Sequence, residues 1–220
     1  MGLPVVYRRS NEITATYSFS DVADGTGVII FYGFVSKVGI TEDYHLTDQS
    51  TILSHHSGVS SGIESTDQDG SSANIDLDFD LTAFNNPRKL RGTAIVQFSL
   101  LGVADGSAGG TASAVITIRK WDGTTETDIA TATTPEISFG TSGNDKKLEA
   151  IPITIPKTRF KKGETLRLNV NATATKTSGT GNVRVVIGND PQNRDGTYIT
   201  PTTDDFTTQL VFHAPFDLDL

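Results

Sequence analysis

The pattern with the most chemical potential is the run Ile75-Asp76-Leu77-Asp78-Phe79-Asp80-Leu81. Three carboxylates alternate with four apolar residues, the period of two that belongs to a half-buried strand. Carboxylates in a row invite a calcium reading. Same-face neighbours on a strand stand about 7 Å apart, however, too far to share one ion without ligands from elsewhere. The row therefore reads as a solvated face that also discourages edge pairing.

The other candidates are read the same way. Asp67-Gln68-Asp69-Gly70 has the flavour of a calcium loop but lacks the later bidentate Glu and flanking helices of an EF-hand. It reads as a flexible acidic turn. His45, His55 and His56, near Glu42, Asp43 and Asp48, form the one histidine cluster. Adjacent His55 and His56 on a strand would face opposite ways, which is poor for chelation. His213 falls in the last expected strand and reads as a packing or hydrogen-bonding residue. Gly102 to Gly110 is glycine-rich but has no Gly-Lys-Ser/Thr ending, and there is no Gly-x-Ser-x-Gly or His-Glu-x-x-His. A glycosidase needs two carboxylates in a cleft, and nothing in the sequence singles out such a pair. Asn171-Ala172-Thr173 matches a glycosylation sequon inside a Thr-rich strand, where a match has little weight. The single tryptophan, Trp121, precedes a turn. It reads as packing over the sheet end, with stacking on a sugar or a neighbour as the alternative. No catalytic, cofactor-binding or metal-ligating residue is assigned, and no cofactor is expected.

The elements that would carry these residues are strands. Alternation recurs at Thr93 to Leu101, Ala112 to Trp121, Thr125 to Thr133, Glu149 to Ile155, Thr165 to Ala174, Asn182 to Ile187 and Thr207 to Phe216. Thr, Val and Ile enrich these runs, as a pleated surface favours. Turn chemistry separates them, with Asp122-Gly123 predicting a tight hairpin. Residues 1–74 are less regular, with strands at Glu12 to Phe19 and Gly27 to Val38, one helical turn near Asp43 to Leu53, and a polar loop or arm from His45 to Asn74. The expected organisation is N-terminal strands and an extended arm over 1–74, then a jelly-roll β-sandwich over 75–220.

Composition narrows the function classes. The chain has 220 residues, enough to bury roughly 70% of its unfolded surface. It has no cysteine, which excludes a disulfide framework, a thiolate metal site and a Cys nucleophile. A net charge of -8 repels phosphate backbones, so direct nucleic-acid binding is disfavoured. The basic groups, such as Arg88-Lys89-Arg91 and Lys146-Lys147, sit beside turns and read as solvated strand ends. The longest apolar run, Val28 to Val35, falls short of the ~20 residues of a membrane span, so no membrane is expected. Arg8-Arg9 is followed by Ser10-Asn11-Glu12 and not by the apolar stretch of a secretory leader, and Val6 replaces the Ser or Thr of a myristoylation site.

From about Asn74 to Leu220 the chain resembles jelly-roll proteins of viral particles, especially capsid decoration and minor capsid proteins of tailed phages. The segments behind this are Ile75 to Leu81 running into Asn85-Asn86-Pro87, the hairpin at Trp121-Asp122-Gly123, the stretch Phe160-Lys161-Lys162-Gly163-Glu164 feeding Thr165 to Leu168, and the close from Gln209 to Leu220. The resemblance implies an antiparallel two-sheet β-sandwich of jelly-roll type and a non-enzymatic virion structural protein. It implies the major capsid protein or other virion proteins as partners, a homo-oligomer with a trimer favoured, and localisation in the virion. The alternative is a carbohydrate-binding sandwich module of a fibre or adhesin, with Trp121, Tyr198 and Tyr44 as its candidate aromatics. Aromatics make up only 8% of the chain, which weighs against it.

Overall fold

Alternation becomes burial in the strand Ser72–Asp80. Ala73, Ile75, Leu77 and Phe79 are buried, while Asp76, Asp78 and Asp80 stand on the other face. The structure is a computed structural model that describes residues 26–38, 41–51, 63–66, 72–141, 144–196, 198–203 and 205–217. Among these every regular element is a strand: β1 (Thr26–Val38), β2 (Thr41–Thr47), β3 (Ile63–Thr66), β4 (Ser72–Asp80), β5 (Arg88–Ala104), β6 (Gly109–Trp121), β7 (Glu126–Thr133), β8 (Ile137–Phe139), β9 (Asn144–Phe160), β10 (Thr165–Ser178), β11 (Val183–Ile187) and β12 (Val211–Asp217). The all-β expectation holds. No described helix is long and apolar enough to cross a membrane.

The expected strands from Thr93 onward form, except that the last begins at Val211 and not at Thr207; β5 and β9 run longer than expected, β5 because burial continues without a break from Phe98 to Ala104. The Trp121-Asp122-Gly123 hairpin also forms. The Asp122 carboxylate accepts from the Thr124 and Thr125 amides at 2.9 and 2.7 Å, and Gly123 takes φ +97°, which an L side chain resists. The expected helical turn near Asp43 is corrected to strand β2. Tyr44 and Leu46 pack inward two residues apart, while β2 pairs with β1 from Tyr32↔Thr47 to Val38↔Thr41. The short β8 was missed, being three residues long. The expected strand Glu12 to Phe19, His55, His56 and Asp67 to Gly70 lie outside the described residues.

The strands form one mostly antiparallel sheet, in the order β3-β11-β5-β12-β1-β2-β4-β10-β6-β7, with β9 on the other edge of β5 and β8 on β6. Two separate sheets were expected; β1 and β2 instead link the halves by hydrogen bonds. The sheet folds over so that β10 and β4 lie near β11, β6 near β5, and β7 near β9. The larger hydrophobic core fills the space between, with Phe79, Phe98, Phe160 and Phe212 fully buried in it, and a smaller cluster gathers Leu101, Val103, Val186 and Ile199.

The glycine-rich segment has a packing role. The Phe139 ring from β8 lies on Gly102 of β5 and Gly110 of β6, where an added Cβ would meet it at 2.3 and 2.7 Å. These glycines form a seat for an aromatic ring.

Candidate functional site

The β4 aspartates meet their partners through register. On β10, Arg167 lies opposite Asp80, Asn169 opposite Asp78 and Asn171 opposite Asp76. On the other edge of β10, Arg167 lies opposite Arg119 of β6, and Arg119 in turn opposes Asp128 of β7. Two arginines directly across a ladder repel. Interleaved carboxylates offset this here. Arg167 grips Asp80 through two bonds of 2.6 and 2.7 Å, reaches Asp78 at 3.4 Å and also pairs with Glu126. Arg119 reaches Asp78 at 3.2 Å, Glu126 at 3.4 Å and Asp128 at 2.8 Å. The buried Asn169 amide donates to Asp76 and Asp78 at 2.7 and 2.9 Å. The Arg167 guanidinium also lies over the Trp121 ring, 4.9 Å from its centre. Hydrogen bonds to Asp80 and the nearby negative charges hold Arg167 further into its protonated range.

The aspartate row is therefore a cross-strand ionic network, which modifies the expectation of a simply solvated face. Arg167, central to it, was missed as a site residue. Its one legible signal was the alternation of Arg167, Asn169 and Asn171 with apolar residues along β10.

Beside this network, β2 meets β4 at a single parallel bridge, His45↔Asp80. A polar cleft of about 280 Å³ opens at the seam, lined by Glu42, Asp43, Tyr44, His45, Asp78, Asp80 and Arg167. It lies at the small end of ligand pockets. Tyr44 donates to Glu42 at 3.0 Å; burial, that bond and the Glu42 charge all push its phenol pKa upward, so it stays a donor. His45 shares a hydrogen bond of 2.8 Å with Ser36, and its ring packs 5.1 Å from Phe34. Two expected histidine-cluster members, Glu42 and Asp43, thus join His45 at the cleft, while Asp48 is not among its lining residues. Among the described residues no three His, Asp or Glu side chains converge as a metal site would require.

The remaining candidates are dispersed. Trp121 packs against Arg167 at the sheet end. Asn171 and Thr173 both accept from Asn74, at 2.8 and 3.0 Å, so the sequon lies within the β10–β4 ladder. Tyr198 lies under the Arg184 guanidinium, whose centre is 5.8 Å from the ring. His213 sits in β12 between Ile30 and Ile95, and burial lowers its pKa.

No protein-family model and no curated protein matches the chain. Several solved structures are similar. An alpha-amino acid ester hydrolase matches over 64% of this chain and 25% of its own, with 12% identity and a TM-score of 0.40. A CocE/NonD family hydrolase from Staphylococcus aureus matches over 84% of this chain and 41% of its own, with 9% identity and a TM-score of 0.38. A structure of infectious bursal disease virus Gx strain matches over 91% of this chain and 50% of its own, with 10% identity and a TM-score of 0.30. The chain thus spans half or less of the length of each. These matches correct the expectation of a virion structural protein, with its carbohydrate-binding alternative. Hydrolases carry the higher scores, and the viral match is the weaker one.

Proposed function

We propose that this chain is a non-catalytic β-sandwich module of jelly-roll type, in which the two halves of the folded sheet serve as the facing layers. The observation that supports it is the state of the two β4 carboxylates at the cleft, Asp78 and Asp80. Both oxygens of Asp80 are taken by Arg167. One oxygen of Asp78 accepts from Arg119 and Asn169, and the other faces Arg167. A general acid or nucleophile needs an oxygen turned to the substrate. These oxygens are turned to the sheet's own cations and hold β4, β10, β6 and β7 in register. A panel of ester, amide and glycoside substrates tests the reading. The expected result is no turnover above buffer. Turnover that disappears in Asp78→Asn or Asp80→Asn would overturn it.

A further inference from the structure

The outward face of β9–β5–β12–β1 has a composition unlike the rest of this acidic chain. Register aligns Pro152, Ile95, His213 and Ile30 in one row across the four strands. The adjoining row, from Ala150 to Tyr32, carries no charged residue either. Of the three large apolar side chains that the described residues leave exposed, two stand on this face: Ile95 at 41% and Leu148 at 40%. The inward faces of the same strands are already spent on the core.

We propose that this face is a two-fold interface with a second copy of the same chain. Each copy carries a net charge of -8, so most approaches bring like charges together. A face whose two central rows hold no charge on either copy avoids that cost and gains from desolvating apolar side chains. A single such patch, meeting itself about a two-fold axis, gives a closed dimer. Edge-to-edge pairing is disfavoured. Among the described residues the long strand β9 pairs with β5 alone, and Pro152 and Pro156 remove backbone donors from it while Lys146, Lys147 and Lys157 charge it.

The size fits a reversible contact. Four strands span about 19 Å across, and Leu148 to Thr154 about 20 Å along, giving roughly 400 Å² of projected area per copy. Over two copies that is roughly 800 Å², below the ~1,000 Å² of a stable interface and in the range of weak, transient association. The inference does not depend on whether the chain turns over a substrate.

Sedimentation velocity of the full chain from about 1 to 200 µM tests it. The 23.5 kDa species should give way to a dimer as concentration rises. Ile95→Lys and Ile95→Glu should each raise Kd by about 100-fold, because a charge of either sign at the centre must be desolvated. Both should melt with the native chain, since Ile95 is exposed. Val115→Lys, at an exposed site on β6, should leave association unchanged. Ile95→Cys gives an independent readout should the charged variants misfold. The chain has no cysteine, so oxidation should trap one disulfide-linked dimer. A chain that stays monomeric across the range would overturn the proposal. So would association that neither Ile95 variant weakens, or a monomer that instead captures a different protein on this face.

Discussion

Replacing Arg167 tests the ionic network directly. Arg167→Met keeps an apolar stem over Trp121 but removes the charge, leaving Asp78, Asp80 and Glu126 facing one another. The magnitude follows from burial. Exposed ion pairs contribute about 0–1 kcal/mol, whereas removing one partner of a buried pair costs about 3–5 kcal/mol. The Arg167 side chain is 13% exposed and its carboxylates about a third, so the site falls between these limits. A loss of about 2–3 kcal/mol is expected, or a fall of about 5–10 °C in melting temperature for a chain of this size. Urea unfolding monitored by tryptophan fluorescence and circular dichroism reads it. Arg167→Lys should recover only part, because an ammonium cannot make the two-pronged contact with Asp80. In 1 M salt the gap between native and Arg167→Met should shrink by about 1 kcal/mol, since the Debye length falls to about 3 Å. A loss below about 0.5 kcal/mol, or full recovery by lysine, would refute the reasoning and reduce the network to surface decoration.

Three further outcomes are expected. Gly102→Ala should destabilise by about 1–3 kcal/mol through overpacking against Phe139, and combining it with Phe139→Leu should cost less than the sum of the two single changes in chemical unfolding. Asn193 holds φ +54° and its side-chain oxygen accepts from Thr207 Oγ1 at 2.8 Å and the Thr208 amide at 2.9 Å. Asn193→Gly relieves the backbone but loses these bonds, so it should cost about 1–2 kcal/mol, and Asn193→Ala more; equal losses would show that the backbone conformation is immaterial. His213 is held neutral by burial, its folded pKa lying below its unfolded one, and its cross-strand neighbours Ile30 and Ile95 do not titrate. Its contribution is therefore present above the unfolded pKa of about 6.5 and is lost as pH falls through the folded pKa. His213→Gln should flatten that part of the stability–pH curve, and an unchanged curve would show that the imidazole is not desolvated.

The strands were legible because their signal is local. Ile75 to Leu81 declares its buried face within seven residues, and Asp122-Gly123 declares its turn within two. β2 was misread as a helical turn because its polar residues, Glu42, Asp43 and His45, hide the inward pair Tyr44 and Leu46. The cleft at β2 and β4 was not legible as a site, for it depends on one parallel bridge between strands that no local pattern joins.

Sequence alone therefore determined the all-β character, most strand positions and the inward faces, since a period of two is a property of neighbours in the chain. Only the tertiary structure decided what the aspartates face. Asp80 meets Arg167 across 87 positions of chain, through a register set by the whole β4–β10–β6 ladder. A one-residue slip in that ladder would turn every one of these side chains to the other face. The same dependence on strand order placed Ile95, His213 and Ile30 in one uncharged row, which no reading of the three separate strands reveals.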